Sequence, residues 1–384
     1  MARFLEKVRT AMREAEDIRT VQEMPVSARP IVTYVEDVYT WNQLEGYLTT
    51  TMTDYGRPIV YLTSDPDDPR FSERDALMST FLVRDRLAKF LPALDSPVFF
   101  TTMPDLDTFH VKRPERSTCV YAFHSLNSTH MTYRRGAFDA YDVFFCVGPY
   151  HERELAARFS DIGKEGYDLI QVGYYKLDRV SAAYRGFTKA HPDRTTVLIA
   201  PSWGPDNLLA IAGQAVIASV AAEGVHVVVR PHPAFFESVY PEGRDLVHRL
   251  AETFAATDNV EFETSIVSEN SFMEADVMIS DWSGASFEFA LGTERPVLFV
   301  DVPRKAFNPQ WEDLGITPFE DRMRGAVGRV LPVEDASQAG AAAAALIHDP
   351  GGYRDRIIAA RAAELFNFGG AAAAGGAALD RLAP

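Results

Sequence analysis

The side chains best suited to chemistry in this 384-residue sequence fall in four places, each just after a short apolar run. In VVVRPHPAFF (227–236) the run ends in Arg230-Pro231-His232-Pro233. Two prolines fix the turn, so Arg230 and His232 are held rigidly at the end of a strand, and an arginine beside a histidine suits a diphosphate. In VMISDWSGASFEFALG (277–292) the run ends at Ser280-Asp281 and passes through Ser283-Gly284-Ala285-Ser286 into a segment with the apolar spacing of a buried helix. The free N–H groups of a first helical turn and its positive dipole end favour phosphate, small side chains let it approach, and Ser283 and Ser286 add hydroxyl donors. The same residues also read as a simple N-cap, with Asp281 or Ser283 satisfying the helix start.

CVYAFHSLNSTHMTYRR (119–135) leaves a strand for a polar loop bearing His124, Ser125, Asn127, Ser128 and His130. Histidine accepts a proton at neutral pH, so this loop can supply a general base, and His124 sits nearest the strand end. IAPSWGPDN (199–207) sets Ser202 and Trp203 in a small-residue loop ahead of a helix capped by Asp206 or Asn207, the kind of βα loop that borders a nucleotide. The G-x-G-x-x-G fingerprint is absent, which disfavours a dinucleotide cofactor. No zinc-ligand spacing, G-x-S-x-G elbow or Walker A motif occurs either.

These loops need strands to hold them. Eleven apolar, β-branched runs alternate with helical segments, at 30–35, 58–63, 97–102, 119–124, 143–148, 169–173, 196–200, 225–230, 260–264, 276–280 and 296–301. That pattern predicts an α/β fold with mostly parallel sheets covered on both faces. Eleven strands exceed one small sheet, and a polar stretch around 186–195 reads as a linker. The expected organisation is a Rossmann-like unit over 1–185, a second over 196–350 and a helical tail over 351–384, the two units facing a central cleft. In the tail, alanines favour helix and glycines break it.

A net charge of −16 excludes a general nucleic-acid binder, so an anionic substrate must meet a local basic pocket. Candidates are Arg134-Arg135, Arg230 with His232, and Arg304-Lys305. Cys119 and Cys146, both inside apolar runs, read as reduced buried thiols, which favours a cytoplasmic address. No stretch has the length and apolarity of a membrane span. The first twenty residues, with Phe4, Leu5, Val8 and Met12 against Lys7, Arg9 and Arg13, form an amphipathic helix that lies on a membrane surface or packs on the N-terminal unit.

Taken in order, FHSLNSTH, AFDAYDVFFCVGPYHERE, VGYYKLD, APSWG, RPHP, SDWSGASFEFALGTERPVLFVDVPRK and LFNFGG resemble the CDP-glycerol glycerophosphotransferase family, the teichoic-acid primase and polymerase group with a GT-B fold. The resemblance covers about half the chain and leaves the first 118 residues unmatched. It implies transfer of phosphoglycerol from a CDP-activated donor to a hydroxyl of a membrane-linked glycan or lipid, with release of CMP. The implied base is His124, the implied phosphate-binding histidine is His232, and the Ser-Asp-x-Ser-Ser motif falls on Ser280, Asp281, Ser283 and Gly284. Ser125 stands where the family writes glycine and Gly284 where it writes serine, so CDP-ribitol, CDP-glycerate and other CDP-linked alcohols stay open as donors. Substrate contacts are expected from Ser125, Ser128, Ser202, Trp203, Arg230, Ser280, Asp281, Ser283, Gly284, Ser286, Arg304 and Lys305. No cofactor is required and no metal ligand is assigned, although Mg2+ can accompany the donor diphosphate. A sugar-nucleotide GT-B glycosyltransferase or epimerase, and a non-catalytic nucleotide-binding envelope protein, are the alternatives.

Overall fold

Apolar runs of β-branched and aromatic residues become strands, and the helices between them return the chain so that every strand pairs in parallel. The computed structural model describes residues 1–73, 75–236, 239–264 and 270–384, without the side chains of residues 2–4 and 350. The first sheet holds β1 (Ile31–Val35), β2 (Ile59–Thr63), β3 (Met78–Leu82), β4 (Val98–Thr101), β5 (Thr118–Ala122), β6 (Val143–Cys146) and β7 (Asp168–Gln171). The second holds β8 (Thr196–Ile199), β9 (His226–Val229), β10 (Val260–Phe262), β11 (Val277–Ser280), β12 (Val297–Asp301) and β13 (Gly328–Pro332). Their spatial orders are β3-β2-β1-β4-β5-β6-β7 and β10-β9-β8-β11-β12-β13. Each order reverses at its middle, at β1/β4 and at β8/β11, and such reversals open a crevice at the carboxyl ends of the strands.

All eleven expected strands are present, and β3 and β13 are two more. Both are edge strands, so neither needs an apolar run: MSTFL and GRVLP are only partly buried. Gly328 permits the last pairing, because a Cβ there would lie 1.8 Å from the Val297 carbonyl oxygen.

Alternate residues of the central strands feed different cores. Val32 and Tyr34 enter one, Ile31 and Val35 another. The first core is continuous between the two sheets: it runs through Phe287, Phe289 and Phe319 to Leu198 and Phe299. Val197, Ile199, Ile217 and Leu298 fill the far side of the second sheet. The architecture is thus two Rossmann-like units with parallel sheets, sharing one core and facing one cleft.

The tail returns to the first unit, where Ala378 and Leu379 of the helix Ala371–Leu382 pack with Trp41, Leu44 and Tyr47 of the helix Val38–Tyr55. Its glycines do not break it. A Cβ on Gly375 would lie 2.2 Å from Tyr47 Cδ1 and one on Gly376 2.5 Å from Thr50 Cγ2, so the two glycines let the helices touch. Between the helix Tyr175–Gly186 and β8 the chain has no regular element, and Lys189 pairs there with Asp276 at 2.6 Å. Cys119 and Cys146 are free and buried.

The helix Ala2–Glu23 meets the first sheet at its edge. Glu14 accepts hydrogen bonds from the backbone N–H groups of Arg84 and Arg86 at 2.7 and 2.8 Å, Asp17 accepts from Leu82 at 2.8 Å, and Val21 is fully buried. Leu5, Val8 and Met12 lie on the opposite side and are 53, 40 and 69% exposed. Phe4, expected on the same face, has its side chain outside the described residues.

Candidate active site in the cleft

Two cavities meet between the units, both lined by Tyr39 and Gln43. The larger, about 570 Å3, lies at the ends of β8, β9 and β11 and is lined by Pro201, Arg230, His232 and Ser283, with Lys176, Arg179 and Glu288. The smaller, about 310 Å3, lies at the ends of β1, β4 and β5 and is lined by Tyr34, Glu36, Thr102 and His124. The two expected histidines therefore stand on opposite walls of one cleft.

His124 leaves β5 two residues after its last pairing and is half-buried. Burial, reinforced by the charge of Lys176, brings its pKa down to about 4, against weaker support from a hydrogen bond to the Thr102 backbone and from Glu288. The ring is neutral at neutral pH, with Nδ1 3.5 Å from the Tyr121 hydroxyl. A neutral imidazole keeps one lone pair, which is what a general base needs.

His232 is set by its prolines. Nδ1 accepts the Ala234 N–H at 3.2 Å, which assigns the ring proton to Nε2. Burial, then Lys305 and Lys176, bring its pKa down to about 3, so His232 is a neutral donor. Arg230 is anchored by its own N–H, which donates to the Ile199 carbonyl at 2.9 Å. Among the described residues no carboxylate lies within ion-pair distance of its guanidinium.

The turn after β11 divides its labour. Ser280 Oγ donates to the Ala200 carbonyl at 2.6 Å. Asp281, fully buried, accepts from the Ser202 N–H at 2.7 Å and the Leu208 N–H at 2.8 Å. Neither Asp281 nor Ser283 caps the helix Gly284–Thr293 with a side-chain hydrogen bond; Asp281 instead reaches the first residue of the neighbouring helix Leu208–Ala222, which Asn207 caps. Ser283 stays on the cavity wall, and Ser286 Oγ donates to the Ser283 carbonyl at 2.6 Å. Gly284 backs onto the His124 loop: a Cβ there would lie 2.3 Å from Ser125 Oγ and 3.0 Å from Asn127 Oδ1.

Ser202 is buried beside Asp281. Trp203 lies 6.3 Å from the His232 ring and 5.6 Å from Phe307, with Lys305 Nζ 4.2 Å over its face. Burial lowers the Lys305 pKa to about 8, opposed by Asp281. Arg304 turns elsewhere, pairing with Asp321 at 2.7 Å beside Trp282 and Trp311. Ser128 is buried against Glu320, to which its N–H and hydroxyl both donate, away from the cavities. Arg134 and Arg135 line a separate small cavity, where Arg135 pairs with Asp161 and Asp313. Among the described residues no group of three or more His, Cys, Asp or Glu side chains converges to hold a metal ion.

Sequence reasoning did not single out Lys176, Tyr174 or Glu288, which link the walls. Lys176 Nζ pairs with Glu288 Oε2 at 2.8 Å, while the Tyr174 hydroxyl lies 2.7 Å from Glu288 Oε1 and 2.8 Å from the His124 carbonyl oxygen. One signal was available: Glu288 sits between Phe287 and Phe289 in a helix that reads as fully buried, and a glutamate there needs a partner.

A cleft at the switch points of two facing parallel sheets defines a GT-B architecture. No family model matches the chain, and no curated protein matches it. Solved structures do. A histidine-to-asparagine variant of the wall teichoic acid polymerase TagF with CDPG superposes with a TM-score of 0.59 at 13% identity, over 99% of this chain and 97% of that one. A putative UDP-N-acetylglucosamine 2-epimerase from Listeria monocytogenes gives 0.58 at 11%, over 90 and 94%. The UDP-GlcNAc 2-epimerase of Neisseria meningitidis, bound to UDP-GlcNAc, gives 0.55 at 10%, over 89 and 97%. The likeness is one of fold.

Proposed function

We propose that this chain is a transferase that moves phosphoglycerol, or a related phospho-alcohol, from a CDP-activated donor to a hydroxyl of a membrane-linked glycan or lipid. The observation that carries the reading is the pair of neutral histidines on opposite walls of one cleft, the donor wall also bearing Arg230 and an uncapped helix start. The ordered motif resemblance supports CDP over a sugar nucleotide, while the fold, shared alike with TagF and with UDP-GlcNAc 2-epimerases, supports the GT-B class alone.

In this mechanism the donor diphosphate lies against Arg230, His232 Nε2–H and the helix start at Ser283. The acceptor hydroxyl gives its proton to His124 as its oxygen bonds to the phosphorus that carries the alcohol. The bond from that phosphorus to the bridging oxygen breaks, and CMP leaves with the electron pair. The charge growing on the leaving phosphate meets Arg230 and His232, both fixed before reaction begins.

The acceptor side fits work at the inner face of the cytoplasmic membrane. Among the described residues no helix is long and apolar enough to cross a membrane, but the helix Ala2–Glu23 presents Leu5, Val8 and Met12 outward. Residues 1–13 contain four basic side chains against one acidic, in a chain of net charge −16. Such a face suits an anionic bilayer.

The likeness to UDP-GlcNAc 2-epimerases keeps sugar-nucleotide chemistry as the second reading. Offering the protein CDP-glycerol, CDP-ribitol and UDP-sugars with a membrane extract, with and without Mg2+, separates the two. CMP supports phospho-alcohol transfer, UDP or an epimerised sugar supports the second reading, and binding without turnover supports a non-catalytic role.

A further inference from the structure

Among the cations of the cleft, Lys176 acts on the histidines of both walls. Lys176 lies at the start of the helix Tyr175–Gly186, in the first unit, yet it lines the larger cavity with Arg230, His232 and Ser283 of the second. Its charge acts on His124 from one side and on His232 from the other. Its partner Glu288, 5% exposed, stands on the helix that begins at the Ser283-Gly284 turn. The other carboxylate oxygen of Glu288 faces the Tyr174 hydroxyl, which also reaches the backbone of His124. A lysine can rotate about its four-carbon stem, and 28% of the Lys176 side chain is exposed. The Glu288 carboxylate thus holds the ammonium at the edge of the donor cavity.

We propose that Lys176 is a positioning residue for the donor: it meets the diphosphate midway between the two histidines, and Glu288 holds it ready until the donor arrives. The inference rests on the phosphotransfer reading for its meaning but not for its test. A cation in this place does two things at once. It draws the phosphorus toward the His124 wall, and it disfavours protonation of His124, the state in which the base is useless. Glu288 limits the second effect and keeps the ammonium solvated by a carboxylate while the cleft is empty.

The test uses inorganic pyrophosphate as the probe, with the full chain and its Lys176→Met, Lys176→Arg and Glu288→Gln variants. Losing a charge-assisted contact weakens pyrophosphate binding about 10- to 100-fold in Lys176→Met. Lys176→Arg retains most of the affinity, and Glu288→Gln binds at least as tightly as the parent because the competing carboxylate is gone. NMR titration of the unliganded protein gives a second readout: both His124 and His232 titrate at higher pH in Lys176→Met. The groups facing His124 in that titration are Tyr121, Tyr133, Glu288 and Lys176 itself. Unchanged pyrophosphate affinity in a folded Lys176→Met protein overturns the proposal, as does a loss in Glu288→Gln equal to that in Lys176→Met, which marks a structural pair. If pyrophosphate binding falls as expected while no CDP-alcohol is turned over, the inference stands and the phosphotransfer reading fails.

Discussion

Ser125 Oγ occupies the space that a side chain at Gly284 would need, for a Cβ built on Gly284 falls 2.3 Å from it. The two positions, 159 residues apart in the sequence, are therefore coupled across one contact. The Ser125 side chain fills the space that the missing side chain at Gly284 leaves. Gly284→Ser alone overfills the contact and lowers stability by about 1–3 kcal/mol. Adding Ser125→Gly recovers part of that loss, with a coupling of about 0.5–3 kcal/mol in a double-mutant cycle followed by denaturant unfolding. Additive losses would show that the contact is not shared.

His124→Ala should lower the transfer rate by about 10²–10⁴ while leaving donor affinity nearly unchanged. Calorimetric binding of the donor beside a CMP-release assay separates the two effects. Equal losses in both would remove His124 from the role of base.

Acid should act on stability before it acts on chemistry. Buried His151 accepts the Val147 N–H on Nδ1 at 3.3 Å, its Nε2 lies 3.3 Å from the Asn127 carbonyl oxygen, and its pKa is lowered to about 3, chiefly by burial. The folded ring stays neutral while the unfolded one takes a proton below about 6.5, so the unfolded state binds more protons in that window. Folding stability then falls as pH drops from about 6.5 toward about 3, with His124 and His232 acting in the same direction. His130 opposes them: burial lowers its pKa, but Glu154, with the Ile316 carbonyl and Glu320, raises it overall, so its contribution is present below about 6.5 and lost as pH rises through the raised value. Thermal unfolding across this range checks the sign, and the transfer rate of the still-folded protein should hold steady well below pH 6.5, since His124 titrates near 4.

Replacing Leu5, Val8 and Met12 by serine should abolish sedimentation with vesicles rich in anionic lipid and spare folding, since the helix is held by Glu14, Asp17 and Val21 on its other side. Binding of the parent protein that is equally strong on neutral vesicles, or absent from anionic ones, would contradict the membrane role.

Much of this was legible in the sequence, for physical reasons that also mark where reading stopped. The central strands announced themselves because both their faces are buried, whereas the edge strands Met78–Leu82 and Gly328–Pro332 bury too little to show an apolar run. The positions of His124 and His232 followed from strand ends. What no local pattern encodes is the partner of a side chain distant in the sequence. Asp281 reads as a cap for the helix after it and serves the backbone of another loop; Arg304 reads as a phosphate ligand and pairs with Asp321. Glycines at 375 and 376 read as breakers because their packing partner, Tyr47 with Thr50, lies over three hundred residues away.

Phosphotransfer and its alternatives differ in which bond of the donor breaks. Incubating the protein with CDP-glycerol and a membrane acceptor, then measuring the nucleotide product and the mass gained by the acceptor, reads that bond directly. Phosphotransfer predicts CMP in one-to-one yield with acceptor that has gained a phosphoglycerol unit. Release of CDP with transfer of glycerol alone, or turnover only of a sugar nucleotide with release of UDP, would contradict it.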